Sequence, residues 1–157
     1  MNSILRFLQT FTVGAWVGSI FYFSAITPGL FRVIPNQDQT GIVVEFAITR
    51  LHTMGIVAGC LFLFASAILA TSRSVAKRLV LPALGVTLML ILTIVSQHVV
   101  IGRMMALRRD MISIVATPAS DPRNIEFEKL HGYSVDLEGA VLLIGFVSLF
   151  LTVRERD

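Results

Sequence analysis

The residues that can do chemistry in this sequence lie in three short stretches: Glu45, Arg50 and His52; Ser96, Gln97 and His98; and His131, Ser134, Asp136 and Glu138. His52, His98 and His131 offer nitrogen ligands for a transition metal, or axial ligands for a haem. Met104, Met105 and Met111 follow His98 closely. They are soft donors of the kind that suits Cu(I), and equally ordinary packing side chains. The histidines, with Glu45, Arg50 and Glu138, can also form a proton or substrate pathway. The plainest alternative is a hydrogen-bonded, ion-paired network of Glu45, Arg50, Gln97, Ser134, Asp136 and Glu138 that fixes helix register and does nothing else. The residues alone leave these readings open. No HExxH pair, phosphate-binding glycine loop, nucleophile elbow or hydrolase-type carboxylate pair is present. No catalytic residue is therefore assigned, and the chain is not read as an enzyme.

Helical spacing refines the picture. Glu45 and His52 are seven residues apart and share a face that continues to Gly59. His131, Ser134 and Glu138 share a face that continues to Gly145. Both polar stripes thus run into small residues, which places His52, His131 and Glu138 in a helix-bundle interior. Arg50 lies about 200° round from His52 at about 100° per residue. It must point elsewhere, and Asp136 or Glu138 are its expected partners.

The elements that position these residues are membrane helices. Apolar residues make up 55% of the chain and charged residues 15%, against about a quarter in a soluble domain. The apolar residues come in four blocks, each longer than the roughly 18 residues that cross a bilayer core as a helix. The expected fold is all-α: one domain over 1–157, an integral membrane four-helix transmembrane bundle with helices at about 4–27, 42–71, 79–115 and 124–153. Pro28-Gly29 is expected to end the first helix. Ser72 to Arg78 reads as a tight turn carrying Arg73, Lys77 and Arg78. Asp121 reads as an N-cap ahead of Pro122 at the first helical position. The apolar run from Ile4 is too long for a signal-peptide core of roughly 7–15 residues, so it reads as a retained helix.

The start of helix 2, the end of helix 3 and the start of helix 4 share one membrane side by connectivity alone, so all three histidines belong to one half of the bundle. Gly14 and Gly18, Gly55 and Gly59, and Gly139 and Gly145 are the expected packing positions. Trp16, deep in helix 1, reads as a packing residue. Arg and Lys divide evenly between the two sides, but the Arg73–Arg78 turn carries no acid. That turn, and with it both termini, is placed on the cytoplasmic side of the cell membrane. Arg154, Glu155, Arg156 and Asp157 form a solvated tail. The basic residues form no dense patch with interleaved aromatics, so nucleic acid is not an expected partner. The lipid bilayer is, along with a membrane-protein partner or a second copy. The lone Cys60 rules out an intrachain disulfide.

Several short motifs point to a family. Phe127, Leu130, His131 and Ser134 stand in an F-x-x-L-H-x-x-S pattern. Gly14, Trp16, Gly18, Phe21 and Phe23 lie in a glycine-rich first helix, and Pro28 and Phe31 form a P-x-x-F exit from it. Gly41 precedes helix 2, and Arg103 lies at the end of helix 3. Together these resemble the TMEM205-like, DUF4149 membrane family over most of the chain. The resemblance implies a four-helix membrane protein without an assigned molecular role. Vertebrate relatives associated with resistance to platinum drugs imply metal handling. That family tends to carry asparagine where this chain has Glu138, so an acid here changes the charge of the interior site.

The resulting expectation is a small multi-pass membrane protein, accessory to transport or metal handling through a polar His/Glu/Arg site in one half of the bundle. A structural or accessory subunit of a larger membrane complex is the alternative. A haem-binding redox subunit is the second alternative.

Overall fold

The computed structural model describes residues 2–70 and 73–154. The chain forms α1 (Asn2–Val33), α2 (Gln37–Leu69), α3 (Arg73–Val95), a π-helical segment (Ser96–Ile101), α4 (Gly102–Met111) and α5 (Pro122–Arg154). The π-helical segment joins α3 to α4 without a break, so the described chain makes four rods. Each rod is long and apolar enough to cross a membrane: Ser3–Val33, Gln37–Leu69, Val75–Met111 and Pro122–Arg154. No strand occurs among the described residues. The protein is an all-helical, multi-pass membrane bundle.

Several ends differ from expectation. α1 does not stop at Pro28-Gly29 but carries Pro28 inside it and runs on to Val33. Pro28 leaves only the carbonyl one turn back, that of Ser24, without its intrahelical donor, and Ser24 is exposed. α2 begins at Gln37, because Asn36 caps it by accepting a hydrogen bond from the Gln39 N–H at 3.1 Å. The third rod ends at Met111, where Ile112 takes a positive φ of 66° and the helix cannot continue. α5 starts as its sequence signals. Asp121 Oδ1 accepts from the Arg123 N–H at 2.9 Å, and Pro122 opens the helix. The turn expected to carry Arg73, Lys77 and Arg78 is helical from Arg73, where α3 begins; Thr71 and Ser72, and Glu155, Arg156 and Asp157 of the tail, lie outside the described residues.

Around the bundle, α1 packs on α2, α2 on α3, α3 on α5, and α5 back on α1. Val13, Trp16, Val17, Ile20, Phe62 and Met89 form the heart of the core. The outer faces present large apolar side chains such as Phe7, Phe64, Leu84, Leu143 and Phe150, as a lipid-facing surface requires. α2 has 33 residues, and at 1.5 Å per residue it is about 50 Å long. A hydrocarbon core is about 30 Å thick. The rods therefore outrun the hydrocarbon, and at the α2-start end they form a cap with its own small core of Leu107, Met111 and Phe127. Met104 packs against that core. Two of the three candidate soft donors are thus packing side chains.

The packing glycines are not the expected set. Gly18 and Gly139 have open space beside them, and Gly14 meets only Leu149. The close approaches occur at Gly55 and Gly59, against the Trp16 ring, at Gly85 against Ser148, and at Gly145 against Val17 and Met89. GxxxG spacing on α2 therefore accommodates a tryptophan rather than a helix backbone.

Candidate functional site

α2 and α5 are not neighbours around the bundle, and each turns a polar stripe to its centre. His52 is 1% exposed and Glu138 9% exposed. His52 Nε2 and Glu138 Oε1 meet across the bundle diagonal. On the other ring nitrogen, His52 Nδ1 lies 2.7 Å from Gln97 Oε1. With that carbonyl oxygen as acceptor, Nδ1 carries a hydrogen and Nε2 is left for the carboxyl group. No other ion pair reaches either side chain among the described residues.

Gln97 stands in the π-helical segment. Such segments are rare and frequently mark functional positions, because the wider turn re-aims side chains. Here it sets Ser96, Val100 and Ile101 all inside, with Gln97 half-buried. Ser96 Oγ is buried and has no hydrogen-bond partner. Ser134, one turn before Glu138, is also buried. Histidine, glutamine and glutamate, with Ser96 and Ser134 close by in sequence, thus form a largely buried polar centre.

The structure brings together His52, Gln97 and Glu138, and separates the other candidates. His98 and His131 are exposed. The buried face of α5 runs Phe127, Ser134, Val141 and Ser148, with Glu138 and Gly145 beside it. A seven-residue spacing drifts about 20° per repeat, so His131, one repeat before Glu138, turns outward. Among the described residues, no three His, Cys, Asp or Glu side chains gather as a metal ion would need. Arg50 does not pair with Asp136 or Glu138. It is exposed and lies over the Phe46 ring at 5.2 Å, one turn back on its own helix. Asp136 is exposed, and Glu138 is taken by His52.

Glu45 belongs to a second cluster, in the cap. Its Oε2 lies 3.3 Å from Arg108 Nη1. The Arg108 guanidinium lies over the Phe127 ring at 5.8 Å and flat against Gly41, where a side-chain carbon would come within 2.7 Å of Nη2. Asp38 accepts from Ser113 Oγ at 2.6 Å and from the Ile114 N–H at 2.9 Å, tying the α4–α5 loop to the start of α2. Arg103 grips Glu126 with two bonds, at 2.7 and 3.0 Å. A third polar contact joins α1 to α2 at the far end of the bundle: Gln9 Nε2 donates to Ser66 Oγ at 2.7 Å. Its signal was a lone amide within an apolar run.

Residues 11–113, about two thirds of the chain, match the family described as a domain of unknown function, DUF4149. No curated protein and no solved structure matches the chain.

Proposed function

The chain belongs to the DUF4149 family, whose description assigns no activity, and from that premise we propose that it is a membrane protein accessory to transport, which takes up and releases a proton at the His52–Glu138 pair. The observation that carries this reading is the buried contact between Nε2 and Oε1. A lone carboxylate or imidazolium taken out of water costs several kcal/mol, in order of magnitude. One proton shared between the two keeps the pair neutral overall, whichever atom holds it. Losing that proton leaves a net negative charge in a buried site, and gaining a second leaves a net positive one. Either change is strongly felt by the surrounding helices.

The test is an infrared pH titration of the carboxylic-acid stretch in purified protein, beside Glu138→Gln. A titrating band present in the wild type and missing from the variant supports proton exchange. A band that never titrates would leave the pair as a helix-register lock.

Metal handling uses the same atoms, because a cation would displace the shared proton and take Nε2 and Oε1 as ligands. Stoichiometric metal that disappears in His52→Ala would move the reading there. A three-histidine centre would further require exposed His98 and His131 to turn inward. Haem is the least favoured, since a second axial histidine would have to come from His98 or His131, which are exposed. The TMEM205-like assignment rests in part on the Phe127–Ser134 motif, which lies beyond the matched residues. Cytoplasmic termini remain part of this reading and would turn the cap outward.

A second reading, an accessory subunit or homo-oligomer, is favoured by the open space beside Gly18, Gly132 and Gly139. Such lipid-facing small residues let another helix approach closely. Size-exclusion with light scattering in mild detergent distinguishes a monomer from an assembly.

A further inference from the structure

The stripe that carries His52 continues down the bundle in a regular order. On α2, His52, Gly59 and Ser66 are seven apart, and on α5 so are Glu138, Gly145 and Thr152. Seven residues rise about 10 Å and return to nearly the same face. α2 and α5 run in the same direction, and His52 meets Glu138. The two helices therefore repeat one order at matched heights: polar, glycine, polar.

The glycine level is filled from the other two helices. α1 supplies Trp16, whose ring rests on Gly55 and Gly59, and Val17, which faces Gly145. α3 supplies Leu90 against Gly59 and Met89 against Gly145. Trp16 is 3% exposed and Met89 fully buried. Below this layer the interior turns polar again. Gln9 donates to Ser66, which donates to the Phe62 carbonyl, and Thr12, Ser148 and Thr152 are buried.

We propose that the bundle interior is a proton path with two polar stations, His52–Gln97–Glu138 and Gln9–Ser66, and that Trp16 and Met89 form the gate between them. This rests on the proton reading of the His52–Glu138 pair. The upper station holds the exchangeable proton. The lower one has none to give: Gln9 Nε2 donates to Ser66 Oγ and the Ser66 hydroxyl to the Phe62 carbonyl, so it serves as a polar level beyond the apolar layer, from which the proton passes on. A buried amide within a membrane helix is costly, and its place across the apolar layer from the titratable pair is what a path needs. The layer closes the path at rest: the rigid Trp16 ring is packed on the backbone at Gly55 and Gly59, and Met89, unbranched and adaptable, fills the space against Gly145.

The experiment is proton flux into liposomes containing the protein and a trapped pH dye, with a potassium ionophore to discharge the membrane potential. Wild type, Met89→Ala and Trp16→Ala are compared, each also combined with Glu138→Gln. Opening the gate lowers the barrier, and the single variants are expected to raise flux roughly tenfold or more. Adding Glu138→Gln is expected to abolish the gain. Folded variants no leakier than empty liposomes would overturn the path, as would a leak that survives Glu138→Gln. If Trp16→Ala does not fold, Met89→Ala carries the test. If Glu138 titrates in the infrared while Met89→Ala conducts nothing, the path fails and the proton site stands.

Discussion

His52 and Glu138 stand on helices that do not pack against each other, yet their side chains meet at the centre of the bundle. The contact closes a diagonal that backbone packing leaves open. The other described ion pairs, Arg103–Glu126, Arg108–Glu45 and Arg123–Asp121, lie in the cap or at its loop. Among the described ion pairs, only the diagonal one places both groups in the buried interior, so it is where a change of charge would act on several helices at once.

Removing one partner should therefore cost more than neutralising it. Glu138→Ala leaves His52 Nε2 buried without a partner, a loss of about 1–3 kcal/mol. Glu138→Gln keeps a donor for Nε2 and should lose less, while ending proton exchange. Unfolding of both variants in detergent, followed by circular dichroism, checks the order. Equal destabilisation by Gln and Ala would mean that the hydrogen bond to His52 is not what Glu138 contributes.

Trp16 is the only tryptophan, so its fluorescence reports its packing without interference. Gly55→Ala would drive a methyl group into the indole, which is rigid and cannot yield as a flexible chain end does. Overpacking of this kind costs about 1–3 kcal/mol. The expected result is a shifted Trp16 emission together with lower stability. Gly18→Ala, where nothing lies nearby, should change neither.

Much of the bundle was legible in the sequence because lipid leaves few choices. A long apolar run must be a helix, and a buried ionisable group must have a partner. His52 and Glu138 were placed inside from their seven-residue stripes. The same rule misplaced His131, because a stripe drifts and the drift shows only against neighbouring helices. Arg50 was given a carboxylate partner, but a ring one turn back, Phe46, meets the same need. Pro28 reads as a stop, although one lost hydrogen bond at an exposed position does not end a helix. Gln97 was expected in the polar interior network, but the π-helical segment that carries it has no sequence signal of its own, so its partner, His52, was not named.

The start of α5 should resist acid. The Arg123 side chain and then its backbone N–H hold the Asp121 carboxyl down to about 2, from 3.8. A lowered carboxyl contributes stability that is complete above the ordinary value and is lost as pH falls through the lowered one. The cap should thus persist to about pH 2, and its loss should begin below about pH 4. Hydrogen exchange at the Arg123 amide, measured down an acid series, reads this. Asp121→Asn should remove the pH dependence while keeping a capping oxygen. Unchanged protection through pH 2 in the wild type would refute the role.

Arg108 should tolerate no lysine. Its planar guanidinium does three things from one position: it lies against the bare backbone at Gly41, covers the Phe127 ring, and faces Glu45. Lysine has a point charge and cannot lie flat, so at most one of the three contacts survives. The ring contact is worth about 0.5–1 kcal/mol when partly exposed, and an ion pair of this exposure usually less than 1. A loss of about 1–2 kcal/mol is expected, confined to the cap. The membrane core does not depend on it, so global unfolding should hardly move. The α4–α5 loop, tied down beside it by Asp38, should open locally instead. Limited proteolysis of the loop near residues 116–120 gives the readout. Faster cleavage in Arg108→Lys, with an unchanged midpoint for the helices, is the expected pair of results. Equal cleavage would show that the cap is held by Asp38 and Arg103 without Arg108. Gly41→Val should reproduce the Arg108→Lys result from the other side, because it displaces the guanidinium without touching its charge.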